Sequence, residues 1–265
     1  MERMRINKYL ARSGVCSRRD ADRLIAEGKV LVNGQVPSPG QSIGEGDQVL
    51  VSGRPLEGQA GTVVLAFYKP VGITCTERDP HAEQTLGDLV HFPVRVTYAG
   101  RLDKESEGLL LLSNDGDLIQ GIMRGENGHE KEYLVKVDRE VTADFIRKMG
   151  EGVYLRELDR TTRKCHVEKT GKYTFRIVLT QGLNRQIRRM CACFGYRTVA
   201  LKRIRIMHIG LGNLKPGEYY ELEEADIERL CRDCGLAMAH TGRGAVVRMP
   251  QKGKKGCWGE TDSNQ

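Results

Sequence analysis

The sequence predicts an α+β protein. A small N-terminal helix–hairpin module precedes a larger domain built on a largely antiparallel, mixed sheet. Three observations carry this. Two short stripes with i, i+3, i+4 spacing occupy the first 28 residues, and β-type runs follow them. A stretch rich in Gly, Pro and polar residues at 53–62 has no apolar periodicity and marks a linker. Beyond it, strand-like and helix-like segments alternate at hairpin spacings. The expected divisions are residues 1–60, 61–235 and a polar, basic tail, 236–265.

In the first module Ile6, Tyr9 and Leu10 form one stripe, stopped at Gly14. Ala21, Leu24 and Ile25 form the second, stopped at Gly28. Ser17 is placed to cap the second helix, with Asp20 three residues on as an imperfect capping box. Residues 29–32 and 35–36 flank Asn33-Gly34, the dipeptide that favours a type I′ hairpin turn. Residues 47–52 read as a further strand. Such a unit buries only a small core, so it is expected to dock on, or be tethered to, something larger.

In the second domain, residues 63–68 form an apolar strand closed by Lys69-Pro70-Val71-Gly72. Residues 109–112, four leucines, suit a buried strand. Leu118, Ile119, Ile122 and Met123 place a helix at 116–124, capped by Asn114 or Asp115. Strands are expected at 133–137, 174–179 and 218–222. Thr142 caps a helix carrying Phe145, Ile146 and Met149. Ile187, Met190, Cys191 and Phe194 share one face of a helix at 184–194 that ends at Gly195. A last helix is expected at 223–234, and the tail from 236 lacks any pattern and is expected to be disordered.

Composition narrows the function classes. The longest apolar run is the six residues 63–68, against the ~20 that a membrane-spanning helix needs. The N-terminus lacks the apolar stretch of a signal peptide, so a reducing cytoplasm and free thiols are expected for the eight cysteines. The net charge is +7. Residues 1–30 carry eight basic and four acidic side chains, and 184–205 carry seven basic and none acidic. Basic stripes of this kind suit a polyanion, the alternative being a solvated basic face. Arg18-Arg19 open the second helix, where cations oppose the helix dipole. With the backbone amides there they suit a phosphate, unless they are ordinary surface arginines.

Cys191-x-Cys193 and Cys231-x-x-Cys234 have metal-like spacing. Cys191 falls on an apolar helix face, however, and Cys231 and Cys234 extend the Ile227, Leu230 stripe. They read as small hydrophobes, and no metal is expected.

Several strings carry a family resemblance. Ile6-Asn7-Lys8-Tyr9-Leu10, Ser13-Gly14-Val15-Cys16-Ser17-Arg18-Arg19 and Val32-Asn33-Gly34 resemble the αL-type RNA-binding module first named in a small-subunit ribosomal protein. The resemblance implies that residues 5–52 dock two helices on structured RNA, reading shape and backbone. Gly100-Arg101-Leu102-Asp103-Lys104-Glu105-Ser106-Glu107-Gly108, running into four leucines, resembles the catalytic motif of the RsuA/RluF branch of pseudouridine synthases. Ser106 stands where threonine is commoner, and keeps the hydroxyl. Alone, Asp103 would read as a turn former or cap. Lys131-Glu132-Tyr133-Leu134-Val135 and Gln181-Gly182-Leu183-Asn184-Arg185-Gln186-Ile187-Arg188-Arg189-Met190 resemble the branch's tyrosine motif and arginine helix. Lys69-Pro70-Val71-Gly72 resembles its first, mainly structural motif. His129-Glu130 and the Gly-Leu-Asn spelling are most like the RluF subgroup.

The resemblance implies paired antiparallel sheets around a cleft, with Asp103, Tyr133 and Arg188 as the catalytic set. Arg188 would pair with Asp103, an opposite charge that favours the carboxylate. Tyr133 would pack on the target base, the alternative being a core tyrosine. Arg101 would fill the gap left by a flipped base, or else pair with a carboxylate. Arg18, Arg19, Arg185 and Arg189 are the other candidate RNA contacts. Uridine isomerisation needs no cofactor, metal or redox partner. It does need a carboxylate near the anomeric carbon, acting as nucleophile or base. The expected partner is RNA, either large-subunit ribosomal RNA or a tRNA anticodon loop, bound by a monomer with no membrane association. A non-catalytic ribosome-assembly factor is the competing reading. The intact Asp103, Tyr133 and Arg188 argue against it.

Overall fold

The two N-terminal stripes fold as helices α1 (Ile6–Arg12) and α2 (Arg18–Ala26) in the computed structural model, which describes residues 3–56, 61–76 and 84–236. Ile6, Leu10, Ala21 and Ile25 are buried against Val30, Val32, Ile43 and Val49. Ser17 caps α2 by accepting from the Asp20 amide at 3.1 Å, and its hydroxyl donates to the Asp20 carboxylate at 2.7 Å. Asn33 and Gly34 both have positive φ (52° and 82°), as a type I′ turn requires. The strand after the turn differs from expectation. Residues 35–36 contribute only a bridge from Gln35 to Val32. Strand β1 (Val30–Val32) pairs instead with β2 (Val49–Val51). The Asn33 side chain helps select that partner, donating to Asp47 and accepting from the Gln48 amide at 2.9 Å.

The expected linker begins with ordered chain. Arg54–Pro55 pairs back on β2 and Leu56 packs on the module core. Thr62 and Val63 then enter strand β3 (Val64–Lys69). The polar tail from 237 lies outside the described residues.

In the second domain the main strands are β3, β4 (Glu107–Ser113), β5 (Lys131–Val137), β6 (His166–Gly171), β7 (Thr174–Leu179), β8 (Thr198–Ile206) and β9 (Tyr219–Glu221). They form one sheet in the order β6-β7-β5-β8-β4-β3-β9, with the short strands Thr97–Tyr98 and Ile209–Gly210 attached. Every pair is antiparallel except β8 with β4. The sheet is therefore two antiparallel halves joined along one parallel seam.

The helices of two turns or more are α3 (Gly116–Met123), α4 (Ala143–Glu151), α5 (Gln186–Cys193) and α6 (Glu224–Asp233). They cover both faces. Leu65, Phe67, Leu110 and Leu112 pack with Phe145 and Met149 of α4 and Ile187 and Met190 of α5. Val64, Ala66, Leu109 and Leu111 pack with Leu118 and Ile122 of α3 and Ile227 and Leu230 of α6. Continuous apolar runs in β3 and β4 follow from this, because each strand is buried on both sides.

The seam depends on Gly108. There Lys202 and Arg203 pair with Glu107 and Gly108. Gly108 has φ +109°, and a Cβ on it would lie 2.2 Å from the Arg203 carbonyl oxygen. Only glycine lets the two backbones approach this closely. The N-terminal module meets the second domain through Lys8 Nζ with Asp117 Oδ2 (2.5 Å) and Arg12 with Asp115 (3.4 Å).

Candidate active site

Asp103 sits on the loop that feeds β4, at the open end of the seam. Several bonds fix this loop. The Ala99 amide donates to the Leu111 carbonyl at 2.7 Å, and Ser106 N donates to the Asp103 carbonyl at 3.0 Å. Leu102 is buried in the core, and its amide donates to Cys75 Sγ at 3.3 Å. Burial pushes the Cys75 thiol pKa up.

Lys69, the last residue of β3, is fully buried. Its ammonium donates to the carbonyls of Pro70 (2.9 Å), Ser106 (2.7 Å) and Lys104 (3.5 Å). Two of these acceptors flank Glu105, so the ammonium ties down the backbone just past Asp103. Burial pushes the Lys69 pKa down. Arg203 is also buried and donates through Nε to the Leu109 carbonyl at 2.7 Å. Sequence reasoning left Lys69 out of the site and did not single out Arg203. The Lys69-Pro70-Val71-Gly72 string was the available signal for Lys69.

Helix α5 supplies the arginines. The expectation set its start at 184, whereas the helix begins at Gln186. Arg185 is its N-cap in left-handed conformation (φ 50°, ψ 33°). Arg188 points inward and places Nε 3.5 Å from Asp103 Oδ2. It also donates to Ser106 Oγ (3.1 Å) and to the carbonyls of Glu105 (3.3 Å) and Thr198 (3.4 Å). One guanidinium thus spans the Asp103 loop and the start of β8. The buried Ser106 hydroxyl is one of its acceptors. Arg185 approaches the same Asp103 oxygen, with Nη1 3.6 Å from Oδ2 and 3.0 Å from Glu105 Oε2. The hydrogen bond from Arg185 holds the Glu105 carboxyl below the usual carboxylate range.

The remaining candidates are dispersed. Tyr133 lies on β5 in register with Ile177 and Arg203, and is nine-tenths buried in the core cluster that includes Leu102. Arg101 is exposed on the Asp103 loop. Arg189 turns away from Asp103 and binds the Asn184 carbonyl (3.0 Å), its side chain (3.2 Å) and the Glu157 carboxylate. Arg18 and Arg19 are exposed at the start of α2, with Arg18 beside Gly116 of α3. Cys191 and Cys231 pack in the two cores, and burial pushes the Cys191 thiol up to about 11.

A partly exposed carboxylate held by two arginines, with a separate helical module carrying exposed arginines, suits an enzyme that acts on a polyanion. Family comparison gives the class. Residues 63–193 match the model of RNA pseudouridylate synthases, and residues 4–49 match the S4 domain. The chain belongs to the RNA pseudouridine synthase family, of the RsuA/RluF type with an N-terminal S4 module, and is an enzyme that isomerises uridine in RNA. It is 46% identical over 225 residues to the dual-specificity RNA pseudouridine synthase RluF of Salmonella typhi, covering 84% of this chain and 77% of that protein. The RluF protein of Escherichia coli K12 gives the same identity and coverage over 226 residues. An RNA pseudouridine synthase of Aquifex aeolicus is 35% identical, covering 86% of this chain and 97% of that one. Among solved structures, a pseudouridylate synthase crystal structure superposes with a TM-score of 0.63 at 27% identity, over 86% of this chain and 99% of that chain.

Proposed function

We propose that this enzyme isomerises a uridine in large-subunit ribosomal RNA, with Asp103 as the acting carboxylate. The observation that carries the reading is the double clasp on Asp103, whose side chain is 31% exposed between Arg188 and Arg185. A carboxylate held this way is fixed in direction yet reachable by a ribose. Breaking the bond from the ribose anomeric carbon to uracil N1, turning the base and rejoining the sugar to C5 leaves the atom count unchanged. The chemistry asks for a carboxylate at the sugar and a surface for the turning base. Asp103 meets the first need, either by attacking the ribose or by taking its 2′ proton. Tyr133 meets the second, and its hydroxyl is a candidate for proton transfer at C5. Stacking of a base on an aromatic ring returns about 1–3 kcal/mol of the cost of unstacking it.

In this reading residues 61–235 form the catalytic unit and residues 1–60 the RNA-docking module. Arg18 and Arg19 contact phosphates, and Arg101 fills the place of the extruded base. Arg185 contacts RNA; Arg189, expected to do the same, is instead engaged by Asn184 and Glu157 and steadies the α5 start. The enzyme works as a cytoplasmic monomer. Among the described residues no helix is long and apolar enough to cross a membrane. The relatives at 46% identity are named as dual-specificity RNA pseudouridine synthases, which favours a second RNA substrate, and a tRNA anticodon loop is the candidate. The test is carbodiimide mapping of pseudouridine across ribosomal and transfer RNA from cells with and without the protein. One large-subunit position that disappears with the gene, and returns with wild type but not with Asp103→Asn, is the expected result. Loss confined to tRNA would overturn the ribosomal assignment.

A further inference from the structure

Three charged side chains at the surface of the Asp103 loop form a chain of contacts: Asp103, Arg185 and Glu105. Arg185 bridges the two carboxylates, at 3.6 Å from Asp103 and 3.0 Å from Glu105. Two features set this bridge apart from the one made by Arg188. The Arg188 side chain is only 14% exposed and is fixed by two carbonyls and a hydroxyl. The side chains of Arg185 and Glu105 are 41% and 61% exposed, and among the described residues the Arg185 guanidinium meets carboxylates alone. Arg185 also holds a left-handed backbone, φ 50°, at a position with no glycine. That conformation costs energy and is maintained at the site where the side chain turns toward Asp103.

We infer that Glu105 occupies, in the RNA-free protein, the seat of an RNA phosphodiester next to the target uridine, and that Arg185 changes partner from Glu105 to that phosphate on binding. This rests on the reading of Asp103 as the acting carboxylate. A nucleotide carries its phosphates on the same sugar whose anomeric carbon Asp103 must reach. An arginine in contact with Asp103 is therefore within a sugar's width of a backbone phosphate. A phosphodiester offers Arg185 two oxygens in a fork that matches guanidinium. Glu105 offers a carboxylate on a flexible, solvated stem, and exposed pairs of that kind are weak and easily exchanged. The acidic side chain keeps Arg185 aimed at the cleft when no RNA is there. It also repels RNA that does not bring a phosphate to this point.

The test is a double-mutant cycle on binding to a uridine-containing RNA stem–loop whose target has already been converted to pseudouridine, so that turnover does not interfere. Wild type, Glu105→Gln, Arg185→Gln and the double variant are compared at several salt concentrations. Glu105→Gln is expected to tighten binding by up to about fivefold and to steepen the salt dependence, since no carboxylate has to recover a cation. Arg185→Gln weakens binding, and in its background Glu105→Gln gains nothing. Glu105→Ala must behave as Glu105→Gln does. A Glu105→Gln protein that binds no tighter than wild type, or a gain that survives Arg185→Gln, overturns the inference. Loss of isomerisation of unmodified RNA in Asp103→Asn, with RNA binding retained, separately scores the reading of the active site.

Discussion

The Lys69 ammonium donates to the Ser106 carbonyl at 2.7 Å from a position with no solvent exposure. Its other acceptors are the Pro70 and Lys104 carbonyls. A charge buried without a carboxylate persists only where carbonyl dipoles replace its lost water. The Asp103 loop supplies two of those dipoles, so folding of the loop and burial of the lysine depend on each other.

Lys69→Met is predicted to keep the fold and loosen the loop. Buried acceptors left unsatisfied cost about 1–3 kcal/mol each, offset by removal of the buried charge. A modest change in unfolding free energy is therefore expected, with a drop in kcat of tenfold or more. Urea titration and single-turnover rates measure the two. A variant with wild-type kcat would show that the loop holds its shape without the ammonium.

Gly108→Ala tests the seam. A methyl 2.2 Å from the Arg203 carbonyl cannot be accommodated by a side-chain rotation, because both partners are backbone. The β4–β8 pairing has to open, and the positive φ adds strain. The expected result is insoluble protein or a large fall in urea midpoint. Gly34→Ala also sits at positive φ, but with nothing within 4 Å, and is expected to be far milder. Equal effects at the two glycines would locate the penalty in φ alone.

Much of this seam was hard to read in the sequence. Leu109 to Leu112 and the run before Lys69 declare strands buried on both faces. The strand on the other side of the leucine strand, Thr198–Ile206, interleaves apolar residues with Lys202, Arg203 and Arg205. That mixture reads as a basic stripe, because Arg203 is buried by tertiary contacts that no local pattern announces. His166–Gly171 was missed for a different reason: it is a polar edge strand, with little apolar alternation. In the site, contiguous strings pointed to Asp103, Tyr133 and Arg188. The Arg185–Glu105 pair joins residues 80 apart in the chain, and the Lys69 ammonium reaches a carbonyl 37 residues away. Periodicity carries no information at those separations.

Lys131 gives a pH-dependent prediction. Burial, with Arg203 nearby, pushes its pKa down to about 8. An unfolded lysine titrates near 10.4. Between those values the unfolded chain holds a proton that the folded chain has released, so stability through this residue rises with pH across that window. Below about pH 8 both states are protonated and the full cost of burying the charge is present. Lys131→Met removes the cost. The variant should exceed wild type by up to about 3 kcal/mol at pH 7, with the gap closing by pH 10.5. Urea unfolding of both proteins at these two pH values measures it. A gap independent of pH would mean that the lysine does not titrate in this window.

Arg188 and Arg189 are neighbours in sequence with opposite surroundings, and this contrast supplies the sharpest test of the site. Arg188 reaches Asp103, Ser106, Glu105 and Thr198 with its three nitrogens. Arg189 reaches Asn184 and Glu157, away from Asp103. Replacing Arg188 with Met leaves the Asp103 carboxylate without its inner partner and frees two backbone carbonyls. The single-turnover rate is expected to fall by about a hundredfold or more, the scale seen when one preorganised charge-stabilising donor is lost. Arg188→Lys restores a charge but offers one nitrogen where three made contacts, so only partial recovery is expected. Arg189→Met removes a brace on the α5 start. It is expected to lower the urea midpoint slightly and to leave the single-turnover rate and RNA affinity within a few-fold of wild type. An Arg189→Met protein with sharply weakened RNA binding and an unchanged midpoint would make Arg189 a phosphate contact that exchanges Glu157 for RNA. An Arg188→Met protein with a wild-type rate would remove Arg188 from the catalytic set, leaving Arg185 as the arginine that serves Asp103.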